Sequence, residues 1–548
     1  MALSVRIDPD LLLQEAKDTP QESSNDPHMH SFAYSSRYQK NEVPKYIIPE
    51  TGMEAKAAYR LVHDELNLDG RSELNCATFL TLWMEPEAEA LVKENMNKNF
   101  VDADGFPSSM IIHERCISMM AHLWNVPEGH HAIGTVVSGS SEGVILGGLA
   151  MKWLWRDKRK LAGKDFSRPN VVLGSNAHCC VEKFARYFDV ETRIVPVRKE
   201  CNYVMSPEDC VKHCDENTIG VYSILGSTYT GHYEDVEALS KALDKLQKET
   251  GLDIPIHVDA ASGGFVAPFA TPNLKWSFDV PRVVSINTSG HKFGLVYAGL
   301  GWVMWKNQDL LHKDLVFEMH YLGVTEYSFS LSFSRPSTHI IAQYYNFLRL
   351  GHKGYSYVMD SCLSNARYLS RALEQSGMFD VLSDIHRPKG FYGPGTLVEK
   401  DLGLKYVNKG LPLVAFTTSD RFRSLCPGID VADISGLVRT KGWLIPAYSL
   451  PMGCEENRIL RIVIKEGISE EMIDRLIRDI ITACNAINAK SSMRGGAMAQ
   501  DITCDRPSKS IFEIMEEDCS ENPFISSSDE DPSPATKGNH CTTYHGCC

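Results

Sequence analysis

The stretch from Ile219 to Asp259 constrains the fold of this chain more than any other. IGVYSIL (219–225) is a strand-like apolar run; Val236, Leu239, Leu243 and Leu246 then recur at helical spacing up to Gly251; IPIHVD (254–259) is a second strand-like run. A strand, a helix and a second strand of these lengths make a right-handed βαβ crossover, which lays the two strands parallel in one sheet. The same grammar recurs in IGTVVSGSSEGVILGGLAMKWLW, in NVVLGSNAHCCVEKFARYFDV and in VVSINTSGHKFG.

An α/β chain follows, with a large, mostly parallel sheet domain expected over 73–360 and a smaller C-terminal α/β domain over 361–490. The smaller one ends in a strand, ILRIVIK (459–465), and a helix over 469–487. Residues 1–72 read as a polar tail or subunit-docking arm (1–45) followed by a lead-in helix between 50 and 72, closed at Asp69-Gly70. Residues 491–548 hold ten acidic against four basic residues and read as a disordered acidic tail.

At 548 residues, 43% of them hydrophobic, the chain is too long for a single core and apolar enough to bury several. A formal charge of −14 excludes nucleic acid as the expected partner, because that function needs a basic surface to displace phosphate counterions. The polar first thirty residues lack a secretory pattern, and no run of 18 apolar residues occurs, so a cytoplasmic protein with no membrane partner is expected. The sixteen cysteines show no C-x-x-C spacing and read as reduced thiols, and no metal site is expected.

Open parallel sheets bind ligands outside the carboxyl ends of their strands, so residues just after strands are the candidates. Asp259 ends IPIHVD and is followed by Ala260, Ala261, Ser262, Gly263 and Gly264, small residues that would let a flat ring lie near the backbone. On its own it also reads as a turn residue. Lys292 follows the run Val283–Ile286 through Ser289, Gly290 and His291. It is either a solvated charge or an amine desolvated in a pocket, where a lowered pKa favours the nucleophilic form. Together the two suit a pyridoxal phosphate (PLP) enzyme, in which a lysine attaches the cofactor aldehyde and a carboxylate keeps the ring nitrogen protonated.

Ser138 to Gly143 (SGSSEG) joins the strand Ile133–Val137 to a helix expected over Val144–Trp155. Such a turn offers an anion free N–H groups, a positive dipole end and the Ser140 and Ser141 hydroxyls; alone it reads as an ordinary N-cap. His178 is expected to begin the helix after Leu173, as a cap or lying over the ring face, and Cys179 and Cys180 are expected to pack rather than react.

Further motifs are NLDG (67–70), CATF (76–79), NKNFVDADGFP (97–107), KFARYFDVE (183–191), STYTGHYE (227–234), HVDAASGGFVAPF (257–269), SGHKFG (289–294), and FSRPS with AQYYNFLRLGHKGY within 333–355. With these in place, residues 45 to 490 resemble the group II PLP-dependent amino-acid decarboxylases, and within them the branch that acts on glutamate. The resemblance implies the PLP-dependent transferase fold type I, a homodimer or higher homo-oligomer, and conversion of L-glutamate to 4-aminobutanoate (GABA) and CO2.

By that resemblance Lys292 would bond the cofactor and Asp259 would partner the pyridine nitrogen. Ser140, Ser141, Ser289 and His291 would hold the phosphate, with Ser334 reaching in from a neighbouring subunit. Thr228 would contact the 3-hydroxyl side, Ala261 would lie under the ring and His178 above it. Arg461 would bind the substrate α-carboxylate, Thr78, Phe79 and Asp102 the distal carboxylate, and Tyr321 would belong to a mobile covering loop; Tyr321 or His291 would reprotonate the α-carbon. His178 stands where many glutamate-acting members have Gln. The acidic tail lacks the basic, Trp-bearing character of calmodulin-binding tails in plant members, so calmodulin is not implied. The final Cys547-Cys548 resembles a prenylation signal, but lipidation is not expected. Two alternatives stay open: a substrate such as aspartate, cysteine sulfinate or an aromatic amino acid, and a catalytically idle assembly protein of the same fold.

Overall fold

The computed structural model describes residues 46–321, 324–393 and 406–495. The expected tails, 1–45 and most of 491–548, lie outside the described residues. Those described fall into two compact units divided between Ser72 and Glu73. In the first, helix α1 (Ala55–Leu66) is shorter at both ends than the 50–72 expectation.

The second unit opens with helices α2 (Pro86–Glu94) and α3 (Pro107–Leu123), each started by a proline at its first position. There follow β1 (Ile133–Val137), α4 (Ser140–Leu161), β2 (Asn170–Gly174), α5 (Cys179–Tyr187), β3 (Glu191–Val195), β4 (Thr218–Ile224), α6 (Val236–Thr250), β5 (Ile256–Asp259), β6 (Val283–Thr288) and β7 (Gly301–Trp305). They build a seven-stranded sheet in the order β1-β7-β6-β5-β4-β2-β3.

The βαβ unit is present, its strands shifted by one or two residues from the expected 219–225 and 254–259. β4 and β5 pair in parallel with Ile224 opposite Asp259, and every residue of both strands is buried, as a sheet covered on both faces requires. Between them α6 starts where Asp235 accepts the Ala238 N–H at 2.9 Å and ends at Gly251, whose φ of 80° makes a left-handed cap. It buries Val236, Leu239 and Leu243.

One strand departs from the parallel rule: β7 runs antiparallel to both β1 and β6. The connection from Thr288 to Gly301 contains no helix, and a link without a crossover returns a strand antiparallel to its predecessor. That link carries Lys292.

A hairpin follows, β8 (Phe317–Tyr321) with β9 (Val324–Ser328). Helix α7 (Thr338–Gln375) is broken at Gly351, whose φ of 57° and ψ of −171° only glycine adopts readily. Residues 360 and 361 lie within this helix, beyond the break. Its first limb meets α2 and α3, its second the smaller sheet. That sheet is wholly antiparallel, in the order β10 (Phe379–Val381), β11 (Leu413–Thr418), β13 (Arg458–Val463), β12 (Ala447–Ser449). Helices α8 (Val431–Arg439) and α9 (Glu470–Gly495) cover it, and Trp443 donates to Asp479 at 2.9 Å beside them. One apolar core is shared between the sheets, since Leu411, Leu413, Ala415 and Ile459 join Val221, Val258 and Leu225. Among the described residues all cysteines are free thiols, and no helix is long and apolar enough to cross a membrane.

Candidate active site

The carboxyl ends of β2, β4, β5 and β6 and the turn after β1 converge on a cavity of about 390 Å³. On one side Glu142 fixes the turn after β1: its carboxylate accepts the Ser138 N–H at 2.8 Å and the Ser138 hydroxyl at 2.6 Å, and also the Leu331 N–H at 2.8 Å. Helix α4 therefore begins at Ser140, four residues earlier than sequence periodicity suggested. Its N-terminal N–H groups face the cavity edge together with the Ser140 hydroxyl, which lies 2.6 Å from that of Ser289. Ser141 lines the same edge.

His291 is held at both ends of its turn. Its Nδ1 accepts the Leu300 N–H at 3.2 Å, which leaves the proton of the neutral ring on Nε2. Burial, with the Lys292 charge beside it, pushes its pKa down to about 4. His178 is the cap expected of it, accepting the Cys180 N–H on Nδ1 at 3.3 Å at the start of α5, and it also lines the cavity. Burial lowers its pKa too, with Asp259 opposing and Lys292 assisting.

Asp259 is 4% exposed. Its Oδ1 accepts the Ala261 N–H at 3.1 Å and the Asn287 amide at 2.9 Å, while the Ala261 carbonyl accepts the Ser289 N–H at 3.1 Å. Ala261 thereby ties the β5 end to the β6 end. Lys292 reaches toward the same space, its Nζ 3.3 Å from Ser262 Oγ and 5.2 Å from the Phe79 ring centre. Burial lowers its amine pKa, partly offset by Asp259. Thr81 pins this turn, donating its hydroxyl to the Lys292 carbonyl at 2.5 Å and its N–H to the His291 carbonyl at 3.0 Å.

Arg461 comes from the other sheet. On β13 its guanidinium donates to the Thr228 carbonyl at 2.9 Å and to the Ala77 carbonyl, and it lies 5.0 Å from the Phe79 ring and 5.5 Å from the Tyr448 ring. Its buried Nε has no hydrogen-bond partner among the described residues.

The nine residues Ser140, Ser141, His178, Thr228, Asp259, Ala261, Ser289, His291 and Lys292 thus line one cavity, with Phe79 and Arg461 beside Lys292. Three others do not line it. Thr78 turns its hydroxyl back to accept the Leu80 N–H at 3.1 Å, and Asp102 caps its own turn by accepting the Gly105 N–H at 2.8 Å. Ser334 meets the Asn99 amide at 3.3 Å, on a segment bridged to that of Asp102 through Asn99 and Pro336. Tyr321 closes β8, and its side chain lies outside the described residues. Sequence reasoning missed Glu142, Thr81 and Asn287. The Glu142 signal was a carboxylate inside SGSSEG, four residues beyond the serine that it fixes.

Residues 44–389 match the pyridoxal-dependent decarboxylase conserved domain. Over 460 residues the chain is 45% identical to a glutamate decarboxylase of Petunia hybrida, covering 84% of this chain and 86% of that one. A glutamate decarboxylase of Aliivibrio fischeri is 44% identical, over 82% and 90% of the two chains. The solved glutamate decarboxylase of Lactobacillus brevis superposes with a TM-score of 0.74 at 36% identity, covering 83% of this chain and 97% of that one. The large parallel sheet is therefore that of fold type I, and the chain belongs to the pyridoxal-dependent decarboxylase family.

Proposed function

We propose that this chain is a PLP-dependent glutamate decarboxylase converting L-glutamate to 4-aminobutanoate and CO2. One observation carries the reading: the Lys292 amine, the Asp259 carboxylate and the Ser140–Ser289 hydroxyl pair at a helix N-terminus meet in a single cavity. That donor set fits PLP, with hydroxyls and a positive dipole end for its phosphate, a carboxylate for its ring N–H and a desolvated amine for its aldehyde. The similarity to glutamate decarboxylases over more than four-fifths of the chain supports the substrate.

Bound PLP supplies the electron sink for the pair left on the α-carbon when CO2 departs. The protein does the rest. Lys292 Nζ, its proton more easily lost because burial lowers the amine pKa, would hold the cofactor by its aldehyde. Asp259 would hold the proton on the ring nitrogen. Ser140, Ser141, Ser289 and the Nε2–H of His291 would hold the phosphate, and Thr228, Ala261 and His178, which line the same cavity, would hold the ring. Arg461 orients the α-carboxylate, and Phe79 shields that side from water. Tyr321 would return a proton to the α-carbon, because both ring nitrogens of His291 are engaged, Nδ1 by the Leu300 N–H and Nε2 by the phosphate.

The working unit is a homodimer. Asp102 and Ser334 lie off their own cavity on segments joined through Asn99 and Pro336, which suits delivery to a second copy's site, with Thr78 and Asp102 for the distal carboxylate. The exposed apolar residues Met96, Leu331 and Phe333 flank these segments in sequence. The large sheet over 73–360 carries the cofactor, residues 361–490 supply Arg461, and the enzyme works in the cytoplasm.

The test is a panel of glutamate, aspartate, cysteine sulfinate and aromatic amino acids offered to PLP-loaded protein, with amine products quantified. Glutamate is expected to be preferred; preference for another member would overturn the substrate assignment.

A further inference from the structure

Behind Asp259, on the face of the sheet that α4 covers, three polar residues form a chain leading to its carboxylate that none of the roles above uses. His257 and Asp259 alternate on β5, Ser285 and Asn287 on β6, and the parallel register sets His257 opposite Ser285 and Asp259 opposite Asn287. His257, Ser285 and Asn287 are fully buried. Ser285 Oγ lies 2.7 Å from His257 Nδ1, His257 Nε2 lies 2.6 Å from Asn287 Oδ1, and Asn287 Nδ2 donates to Asp259 Oδ1 at 2.9 Å.

The direction of every bond follows from its end. A carboxylate only accepts, so Asn287 must offer its NH₂ to Asp259 and its oxygen to His257; His257 then carries its proton on Nε2 and accepts on Nδ1 from the Ser285 hydroxyl. All three donors point toward the carboxylate. Burial pushes the His257 pKa down to about 4, which keeps the ring neutral and the direction fixed at ordinary pH. The helix that presents the phosphate-binding turn is carved to fit this chain. A Cβ on Gly147 would lie 2.4 Å from His257 Cε1 and Nδ1, and one on Gly143 would lie 2.8 Å from Asn287 Cβ. Tyr222 closes the side, its ring edge-on to His257 at 5.0 Å.

We infer that Ser285, His257 and Asn287 are positioning residues that orient Asp259 as an acceptor toward the ring nitrogen of PLP, with Gly143 and Gly147 as the space they require. A chain of aligned donors polarises its last member, so the bond reaching Asp259 is stronger than an isolated amide would make it. The inference rests on Asp259 partnering the ring nitrogen.

The test titrates PLP into apo-protein of Asn287→Ala, His257→Gln, Ser285→Ala and Asp259→Asn, following the visible band of lysine-bound cofactor, with the thermal midpoint of each apo-protein alongside. Losing a hydrogen bond to a charged group predicts a rise in PLP Kd of about tenfold or more for Asn287→Ala. Ser285→Ala, at the far end, should change it about twofold. His257→Gln, which still donates and accepts, should bind more tightly than His257→Leu. In an Asp259→Asn background Asn287→Ala should add less than about twofold, because it acts through Asp259. Independent, multiplying effects, or an Asn287→Ala Kd within twofold of wild type, would overturn the relay. Asn287→Ser serves should the alanine variant fail to fold. Wild-type PLP affinity and turnover in Asp259→Asn would instead overturn the assignment of Asp259 itself.

Discussion

Arg461→Lys separates orientation of substrate from mere positive charge. The guanidinium bridges the Thr228 and Ala77 carbonyls and lies 5.0 and 5.5 Å from the Phe79 and Tyr448 ring centres, so it is held in place before any substrate arrives. A lysine keeps the charge but loses the fork that meets a carboxylate with two parallel bonds. One charge-assisted hydrogen bond to substrate is worth about 1.5–3 kcal/mol, and misplacement of the second carbonyl contact adds to that. A fall in kcat/KM of roughly 30- to 1000-fold follows, since each 1.4 kcal/mol is tenfold. Steady-state kinetics with glutamate read the loss. Inhibition by 4-aminobutanoate serves as the control, because that product lacks the α-carboxylate and its Ki should move less than about threefold. A kcat/KM within threefold of wild type, or an equal loss of product inhibition, would refute the assignment.

Other expectations follow from single contacts. Asp102 facing a substrate carboxylate requires a shared proton, so activity should rise under mildly acidic conditions and Asp102→Asn should blunt that preference; a flat pH–rate profile would count against the role. Burial raises the Glu234 pKa from 4.5 to about 7, against hydrogen bonds from Asn176, Ser223 and the Ile224 N–H. Its folded pKa exceeds the unfolded value, so the stability it contributes is full below pH 4.5 and is lost as pH rises through about 7. Denaturant titrations should show a loss of roughly 3 kcal/mol across that window in wild type and a flatter profile in Glu234→Gln. Gly147→Ala should cost about 1–3 kcal/mol by driving a methyl into the His257 ring, read as a lower thermal midpoint.

Much of this molecule was legible in its sequence because its signals are local. The βαβ unit from Ile219 to Asp259 announces itself through period and cap residues, and it alone places Asp259 at a strand end. Lys292 followed from the same rule applied to Val283–Thr288. Most of what escaped was set by distant partners. Thr78 and Asp102 bear motifs of the family, yet each bonds its own turn, and Ser334 is placed against Asn99, far away in the chain. The reversal of β7 was hidden in the absence of a helix after Thr288, and the antiparallel order of the smaller sheet in pairings no periodicity encodes. His257 and Asn287 were readable in principle, because His-x-Asp and Ser-x-Asn on adjacent parallel strands put four polar groups on one face. They passed as strand residues because a buried polar group reveals its purpose only with its partner.

On the proposed function, Lys292 and the cavity around it serve to remove the α-carboxylate of glutamate. The most direct measurement incubates PLP-loaded protein with glutamate labelled at the α-carboxyl carbon, counting labelled CO2 against 4-aminobutanoate, with Lys292→Ala in parallel. Equal amounts of the two products are expected from wild type and neither from the variant. Product formed by Lys292→Ala at the wild-type rate, or no labelled CO2 from wild type, would contradict it.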